Sequence, residues 1–289
     1  MSRNPVHLMH AALRAIDAAR KVGGPVIPLF SGGHDSTCAC HIASKHPTWR
    51  GAVHHIDTGI GAAATRRHVE AVCEELGWDL KVYRSPNDYQ RYVRLNGFPG
   101  PGAHSLVYAH LKERCVRMMT RAAGLGRHGK AYLVTGARAA ESTRRMGAVA
   151  PYQVGEYVTR RVRVVERRVW VNRNRVWVSP CHDWTTGEQV AYMRYFGLPE
   201  NPVKIALGMS GECFCGAFAA PGELDRIRHH CPDVAAEIDR LAGVARAAGK
   251  PCVWGTRPTG QTGIVAAKAG PLCSGCDMRA AAAGIAIER

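Results

Sequence analysis

The sequence predicts an α/β fold with a doubly wound, mostly parallel sheet, and three observations point to it. Short apolar segments alternate with segments of helical periodicity through the first half of the chain. The stretches between successive apolar runs are long enough for a helix, as right-handed crossovers between parallel strands require. Ser31, Asp57 and Gly136 each follow a predicted strand, and ligands of such sheets gather at the carboxyl ends of the strands.

Each element has its own signal in the sequence. Leu8 and Ile16 lie on one face of an amphipathic pattern, and Gly77 stops a later helix. Residues 86–102 are mixed and aromatic and carry no assigned element. The predicted helices cover residues 6–21, 38–45, 65–76, 106–123 and 185–196, with two short helices in 221–249 broken at Pro232, and the predicted strands cover residues 25–30, 51–56, 79–83 and 130–135.

Residues 154–178 break this rhythm and predict a basic β-hairpin or small antiparallel ribbon inserted into the α/β domain. Apolar and basic residues partly alternate on both sides of a turn at Asn172-Arg-Asn174. Trp170, Trp177 and the arginines of 157–178 suit DNA or RNA, because arginines bind the phosphate backbone and tryptophans stack on bases. An ordinary edge hairpin with a solvated charged face would have the same pattern.

Composition and charge indicate which partners and which cellular location to expect. The 289 residues include 39 Lys and Arg against 23 Asp and Glu, a net charge of +16, which favours polyanionic partners. A soluble protein from a high-GC genome, in which arginine replaces lysine, would have the same excess of basic residues. No apolar run reaches the ~18–20 residues of a membrane helix, and the N-terminus has no signal-peptide segment. We therefore expect a cytoplasmic protein with no membrane partner, in which 11 cysteines serve metal or sulfur chemistry rather than disulfides.

The most informative segment is Ser31-Gly-Gly-His-Asp-Ser36, between the first predicted strand and the following helix. Glycines let the backbone approach a ligand closely, and a helix N-terminus attracts anions. The segment lacks the lysine of the common P-loop. We interpret Ser31, Gly32, Gly33, His34, Asp35 and Ser36 as a cradle for the phosphates of a nucleotide; a Ser/Gly turn that merely caps a helix is the alternative.

This loop resembles the pyrophosphate loop of the N-type ATP pyrophosphatases (PP-loop proteins). Three further segments, His55-Ile-Asp-Thr-Gly59, Thr135-Gly-Ala-Arg-Ala-Ala-Glu-Ser-Thr-Arg-Arg145 and Val178-Ser-Pro-Cys-His-Asp-Trp-Thr-Thr-Gly-Glu188, are similar to motifs of one branch of that superfamily. With all four in order, residues 25–220 resemble the phosphoadenosine-phosphosulfate (PAPS) reductase-like branch of the adenine nucleotide α-hydrolases. The resemblance implies a HUP-like doubly wound domain.

The resemblance also implies ATP and Mg²⁺ as cofactors and cleavage between the α- and β-phosphates. Asp35 would orient the metal or its waters, and arginines would donate to the α-phosphate or an anionic substrate. An internal ion pair between Arg138 and Glu141 is an alternative role for that arginine. The implied catalytic residues are Asp35, Arg138, Arg144 and Arg145, and the implied nucleotide contacts beyond the loop are Asp57, Thr58, Gly59, Gly136, Glu141 and Ser142.

Four cysteines form two spaced pairs that predict a metal centre. Cys213 and Cys215 form a Cys-x-Cys pair, and Cys273 and Cys276 form a Cys-x-x-Cys pair. Two such loops suit a [4Fe–4S] cluster, which we favour, or a structural Zn²⁺. Cys231 is an alternative fourth ligand.

These features together favour an ATP pyrophosphatase-type sulfur-transfer enzyme that adenylates an acceptor, nucleic acid above all, with a sulfur-donor protein as a possible partner. The chain lacks the Glu-Cys-Gly-x-His segment of sulfonucleotide reductases, so a reductase of adenylyl sulfate or PAPS ranks second. A nucleotide-sensing protein that binds nucleic acid without turnover is the third reading. We expect a PP-loop domain over 1–205 and a Cys-rich region with helices over 206–289.

Overall fold

The computed structural model describes residues 3–20, 24–124, 131–138, 157–159, 162–166, 169–172, 175–250, 253–255 and 272. Its strands are β1 (Val26–Pro28), β2 (Ala52–Asp57), β3 (Asp79–Arg84), β4 (Ala131–Val134), β5 (Tyr157–Thr159), β6 (Val162–Glu166), β7 (Val169–Asn172) and β8 (Arg175–Val178). Its helices are α1 (Pro5–Arg20), α2 (His34–Ser44), α3 (Ala63–Glu75), α4 (Tyr89–Asn96), α5 (His104–Tyr108), α6 (Arg114–Ala122), α7 (Thr186–Tyr195), α8 (Pro202–Leu207), α9 (Glu223–His230) and α10 (Pro232–Ala247).

Parallel strands form the centre of the fold, as predicted. β1 pairs in parallel with β4, and β4 with β8, while β2 pairs in parallel with β3. A parallel bridge between Leu29 and His54 joins the two groups, and Phe30 N donates to His54 O over 2.9 Å. The strand order is therefore β3-β2-β1-β4-β8, which places the loops after β1, β2 and β4 at one edge.

The helices cover both faces of this sheet. On one face α1, α2 and α7 pack on β4 and β8 through buried residues such as Ile16, Ile42 and Tyr192. On the other face α6 packs on β1, β4 and β8 through Val116 and Met119. This two-sided cover is the doubly wound arrangement that the sequence predicts. Among the described residues, no helix combines the length and the apolar character needed to cross a bilayer.

A third apolar cluster joins the middle of the chain to its C-terminal part. Residues of α4 and α5, including Tyr89 and Val107, are buried together with Ile227 of α9 and Ile238 of α10. The two C-terminal helices meet at Pro232 as predicted. The boundary predicted at residue 205 stays a prediction, and the described part of 206–254 shares its core with residues 60–111.

Several element limits differ from the predictions for identifiable reasons. Helix α2 begins at His34 rather than at residue 38, because the second half of the loop already forms the first helical turn after Gly33. Asp88 caps α4 by accepting from Arg91 N over 2.7 Å, so the aromatic segment does contain a helix. The helix predicted over 106–123 begins at His104 and contains a π-helical turn, Ala109–Glu113, between α5 and α6.

The predicted basic hairpin is in fact the continuation of the main sheet. Strands β5 to β8 form an antiparallel ribbon whose last strand, β8, also pairs with β4. Trp177 of β8 is buried beside α6, and Arg175 makes a two-pronged ion pair with Glu113 over 2.7 and 2.8 Å. Trp177 is therefore part of the core and Arg175 is paired with Glu113. Binding of DNA or RNA by this ribbon stays a prediction.

Candidate nucleotide site and cysteine loop

Residues 31–36, here called the phosphate loop, connect β1 to α2 and are shaped by their own hydroxyl groups. The Ser36 hydroxyl donates to Gly33 O over 2.8 Å and accepts from Ser31 N over 3.2 Å. The Ser31 and Ser36 hydroxyls lie 3.0 Å apart. Both predicted serines therefore set the curvature of the loop. The N–H groups of the first turn of α2 lie at the same place, which suits an anion.

Two predicted glycines allow close packing around this loop. Gly32 has φ +75°, and a Cβ there would lie 2.9 Å from Val69 of α3. Gly136 follows β4, and a Cβ there would lie 2.4 Å from the backbone carbonyl carbon of Asp35. The end of β4 therefore packs directly on the start of α2, and only glycine fits at position 136.

Asp35 lies in the first turn of α2 and is held by two side chains. Arg138 Nε and Gln189 Nε2 both donate to Asp35 Oδ1. Arg138 is 4% exposed and also donates to Trp184 O over 3.3 Å. Arg138 therefore forms an internal ion pair with Asp35, and the predicted pair with Glu141 stays a prediction. Gln189 is a contact that the sequence did not indicate.

The remaining predicted residues of this arginine segment, Glu141, Ser142, Arg144 and Arg145, lie outside the described residues. Their roles, like the Mg²⁺-orienting role of Asp35, stay predictions. Direct metal binding through Asp35 Oδ1 would have to displace Arg138 or Gln189 from that oxygen.

His34 begins α2 and is partly buried. Burial lowers its pKa from the usual value, so the imidazole is neutral at pH 7. Its neighbour His68 on α3 also has a lowered pKa, through burial and the proximity of His34. Within the described part of the chain, neither Nε2 atom has a hydrogen-bond partner.

The predicted Asp57-Thr58-Gly59 segment follows β2 and faces the same edge of the sheet. Asp57 Oδ1 accepts from Gly59 N over 2.8 Å, and Asp57 Oδ2 lies 3.2 Å from Arg66 Nη2 and 3.6 Å from Arg84 Nη1. The two arginine side chains are more than half exposed. The carboxylate is therefore fixed, and the arginines bring positive charge to the rim of the site.

Asn201 is a residue of this site that the sequence reasoning missed. It is fully buried, and its amide Nδ2 donates to Gly32 O over 2.9 Å and to Ser210 O over 3.0 Å. Its Oδ1 accepts from Val203 N over 2.9 Å and so caps α8. The Asn-Pro pair at 201–202 is a recognisable helix start, but nothing in the sequence indicates the bonds to two distant carbonyls.

Residues 210–216, here called the cysteine loop, run from the phosphate loop to the predicted metal ligands. Cys213 is partly buried and Cys215 is buried. Four hydrogen bonds with other parts of the chain hold the backbone of this loop. Thr58 Oγ1 donates to Glu212 O over 2.7 Å, and Phe214 N donates to Ile60 O over 2.8 Å. Trp254 Nε1 donates to Phe214 O over 2.8 Å, and Tyr89 OH donates to Cys215 O over 2.6 Å. Both cysteines therefore occupy a loop of fixed shape.

A buried charge pair links this loop to Leu272, the residue that precedes the second predicted cysteine pair in the sequence. Lys112, in the π-helical turn, lies 3.3 Å from Glu212 Oε1 and donates to Leu272 O over 3.0 Å. The side chains of Lys112 and Glu212 are 7% and 10% exposed. Because Glu212 precedes Cys213 and Leu272 precedes Cys273, one ammonium group links the two segments.

The four predicted ligands cannot be tested as a set, since Cys273 and Cys276 lie outside the described residues. Within the described ranges, no group of three or more His, Cys, Asp or Glu side chains is placed to hold a metal ion. Cys231 is buried in the apolar cluster at the start of α10 and joins no such group there.

Three other cysteines belong to the core. Cys38, Cys40 and Cys181 are fully buried. Burial raises the thiol pKa of Cys38 and of Cys40 well above the usual value, which disfavours the reactive thiolate. Sulfur chemistry beside the phosphate loop is therefore not expected from these two thiols.

The strand order and the loop between β1 and α2 define an α/β protein of the PP-loop kind. The model of the phosphoadenosine phosphosulfate reductase domain matches residues 25–204, well over half of the chain. The chain belongs to this family, and with it to the adenine nucleotide α-hydrolase superfamily, as its four motifs predict.

The chain is also similar to a solved structure, the phosphate complex of phosphoadenylyl-sulfate (PAPS) reductase from Candida auris. The TM-score is 0.45 at 15% sequence identity, over 72% of this chain and 94% of that chain. No curated protein matches the chain in sequence.

Proposed function

We propose that the protein is an ATP-dependent sulfur-transfer enzyme that adenylates an acceptor and releases pyrophosphate. One observation carries the proposal: the cysteine loop begins against the phosphate loop. A Cβ on Gly33 would lie 3.1 Å from Ser210 Cβ, and three residues of chain, at most about 10 Å, lead from Ser210 to Cys213. A nucleotide on the phosphate loop and a sulfur at Cys213 would share one site.

The first step is nucleophilic attack on ATP. An oxygen of the acceptor forms a bond to the α-phosphorus, and the bond from that phosphorus to the bridging oxygen of the β-phosphate breaks. Pyrophosphate leaves with the electron pair and is stabilised by the N–H groups of the phosphate loop and the start of α2, with Mg²⁺ neutralising its charge. The rim arginines Arg66 and Arg84 add positive charge.

In the second step a sulfide from a donor protein, delivered at the cysteine loop, attacks the activated carbon or phosphorus. The new bond to sulfur forms as AMP leaves with the acceptor oxygen, so the step needs no external oxidant or reductant. A [4Fe–4S] centre held by three of the four cysteines would leave one iron open to bind sulfide, whereas a centre held by all four, or Zn²⁺ as the alternative, would be structural. The four cysteines are Cys213, Cys215, Cys273 and Cys276.

The cysteine loop fits such a centre in two respects. Its carbonyl groups at Glu212, Phe214 and Cys215 already accept hydrogen bonds from other parts of the protein, so the loop does not have to fold on the metal. Lys112 also bonds Leu272 O, next to Cys273. Both features favour one centre shared by the two cysteine pairs.

The positive net charge of the protein favours nucleic acid as the acceptor. The net charge is +16, and strands β5 to β7 extend the sheet beyond β8. With Trp177 and Arg175 engaged in the core, contacts with DNA or RNA would come from the part of the ribbon beyond β8, residues 157–174. A reductase of PAPS or adenylyl sulfate is the second candidate, and the family to which residues 25–204 belong supports it.

The test is the product that anaerobically purified protein releases from Mg·ATP in the presence of tRNA or DNA. We expect pyrophosphate. Ser36→Ala should lower its release about 100-fold, as the loss of one oxyanion-hole donor does, because Ser36 shapes the phosphate loop. Ser44→Ala is the matched control, since Ser44 lies at the other end of α2 and bonds His41 O over 2.8 Å.

Two outcomes would contradict the proposal. Sulfite release from PAPS or adenylyl sulfate with thioredoxin, without pyrophosphate release from ATP, would establish the reductase. Salt-sensitive binding of nucleic acid with neither product would leave a nucleotide-sensing protein without turnover.

A further inference from the structure

The amide of Asn201 joins the two halves of the proposed site. Its Nδ2 donates to Gly32 O in the phosphate loop and to Ser210 O at the start of the cysteine loop. Thr65 of α3 donates to the same Ser210 oxygen over 2.7 Å. The side chain is 0% exposed, and its bond to Gly32 O is buried, so loss of the amide would remove a buried donor from that carbonyl.

The chain supplies an internal comparison that separates this role from helix capping. The tripeptide Asn-Pro-Val occurs at 4–6 and again at 201–203. In both, the asparagine Oδ1 accepts from the N–H of the valine over 2.9 Å. Asn4 makes this bond at the exposed start of α1, far along the chain from both loops. Only Asn201 is placed to cap a helix and to hold Gly32 and Ser210 as well.

The position of Asn201 fixes the spacing between the phosphate loop and the cysteine loop. Gly32 has φ +75° and packs on Thr65 and Val69, and Gly211 has φ +72° and packs on Thr65 and Val203. Each side of the amide thus meets a backbone turn with little room to shift. Because Asn201 Nδ2 bonds both Gly32 O and Ser210 O, a movement of one carbonyl would shift the amide and, with it, the other carbonyl.

We propose that Asn201 is a positioning residue that couples nucleotide binding at the phosphate loop to the order of the cysteine loop. Nucleotide that orders Gly32 also orders Ser210, and through it the backbone that presents Cys213. The inference rests on the proposed binding of ATP at residues 31–36, and it adds a residue and a coupling that the proposed chemistry alone does not require.

Amide hydrogen exchange of the full-length protein, with and without Mg·ATP, tests the coupling. In the wild type, nucleotide should slow exchange in 31–37 and also, about tenfold, in 209–216, which corresponds to a typical coupling between sites. In Asn201→Ser the first effect should remain and the second should be lost. Serine keeps an oxygen to cap α8, but it has no amide to join the two carbonyls.

Asn4→Ser is the matched control, because it makes the same substitution at the same capping position of α1. It should retain slowed exchange in both segments. Asn201→Thr is the second variant if Asn201→Ser unfolds, since it fills more of the buried space, keeps an oxygen to cap α8 and has no amide. Thermal unfolding without nucleotide establishes that each variant is folded.

The outcomes separate this inference from the proposed function. Absence of protection at 31–37 in the wild type would contradict ATP binding at the loop, and with it both proposals. Protection of 31–37 alone in the wild type, or protection of 209–216 that survives both Asn201 variants, would overturn the coupling and leave the proposed function standing.

Discussion

The phosphate loop and the cysteine loop lie side by side but are held in different ways. The hydrogen bonds of Ser31 and Ser36 that shape the phosphate loop join residues at most five positions apart. The bonds that Thr58, Tyr89 and Trp254 donate to the cysteine loop come from 154, 126 and 40 positions away. The curvature of the phosphate loop is thus set by a local motif, to which distant side chains add bonds at Gly32 and Asp35. The cysteine loop is assembled by the tertiary structure.

This difference predicts how each loop fails. A local motif depends on its own residues and on the space around them, so a steric change should disturb it most. An assembled loop depends on distant partners, so the loss of one buried partner should cost stability across the protein. The three substitutions below test this contrast, from the largest expected effect to the smallest.

Lys112→Met should cause the largest loss, because it leaves Glu212 buried without its cation. Breaking a buried ion pair by removing one partner typically costs about 3–5 kcal/mol, and urea unfolding would measure it. Adding Glu212→Gln should recover part of that loss, since no uncompensated charge remains.

Arg117→Met is the control, because the Arg117–Glu113 pair is on the surface, with Arg117 64% exposed, and should cost under about 1 kcal/mol. Equal losses in the two single variants would contradict the idea that the cysteine loop depends on the buried pair.

Gly136→Ala tests the phosphate loop through the space around it. The added methyl group would lie 2.4 Å from the Asp35 carbonyl carbon and 2.5 Å from Ser36 N, so β4 and α2 must move apart. Overpacking of this kind costs about 1–3 kcal/mol, and we expect release of pyrophosphate to fall far more than stability does.

Gly243→Ala is the control: no atom lies within 4 Å of its new Cβ in α10, and alanine there should stabilise by about 0.5–1 kcal/mol. A Gly136→Ala protein with unchanged activity would show that the contact of Gly136 with Asp35 does not shape the phosphate site.

The same contrast explains what the sequence could predict. The loop between β1 and α2, the alternation of strands and helices, and the glycine after β4 are encoded by neighbouring residues. The structure confirms these elements of the fold, and nucleotide binding at the loop stays a prediction. Three other features depend on contacts between segments that are far apart in the sequence, and local periodicity does not predict such contacts. They are the bonds of the Asn201 amide, the Lys112–Glu212 pair and the burial of Trp177. Trp177 is the clearest case, because an alternating apolar and basic pattern is the same for a free hairpin and for a strand inside a sheet.

His34→Asn should have the smallest effect, visible as a change in pH dependence. Burial lowers the pKa of His34 in the folded protein, so the unfolded chain binds a proton first as the pH falls below about 6.5. The free energy that the neutral imidazole contributes is present above that pH and is lost as the pH falls towards the lowered pKa. Between pH 7 and pH 5, the wild type should therefore lose more stability than His34→Asn. His41 and His54, whose pKa values are lowered to about 4 by burial, contribute equally to both proteins and cancel in the difference. Identical pH profiles of urea unfolding would mean that the histidine of the phosphate loop is solvated in solution, and that this loop is more open than its hydrogen bonds imply.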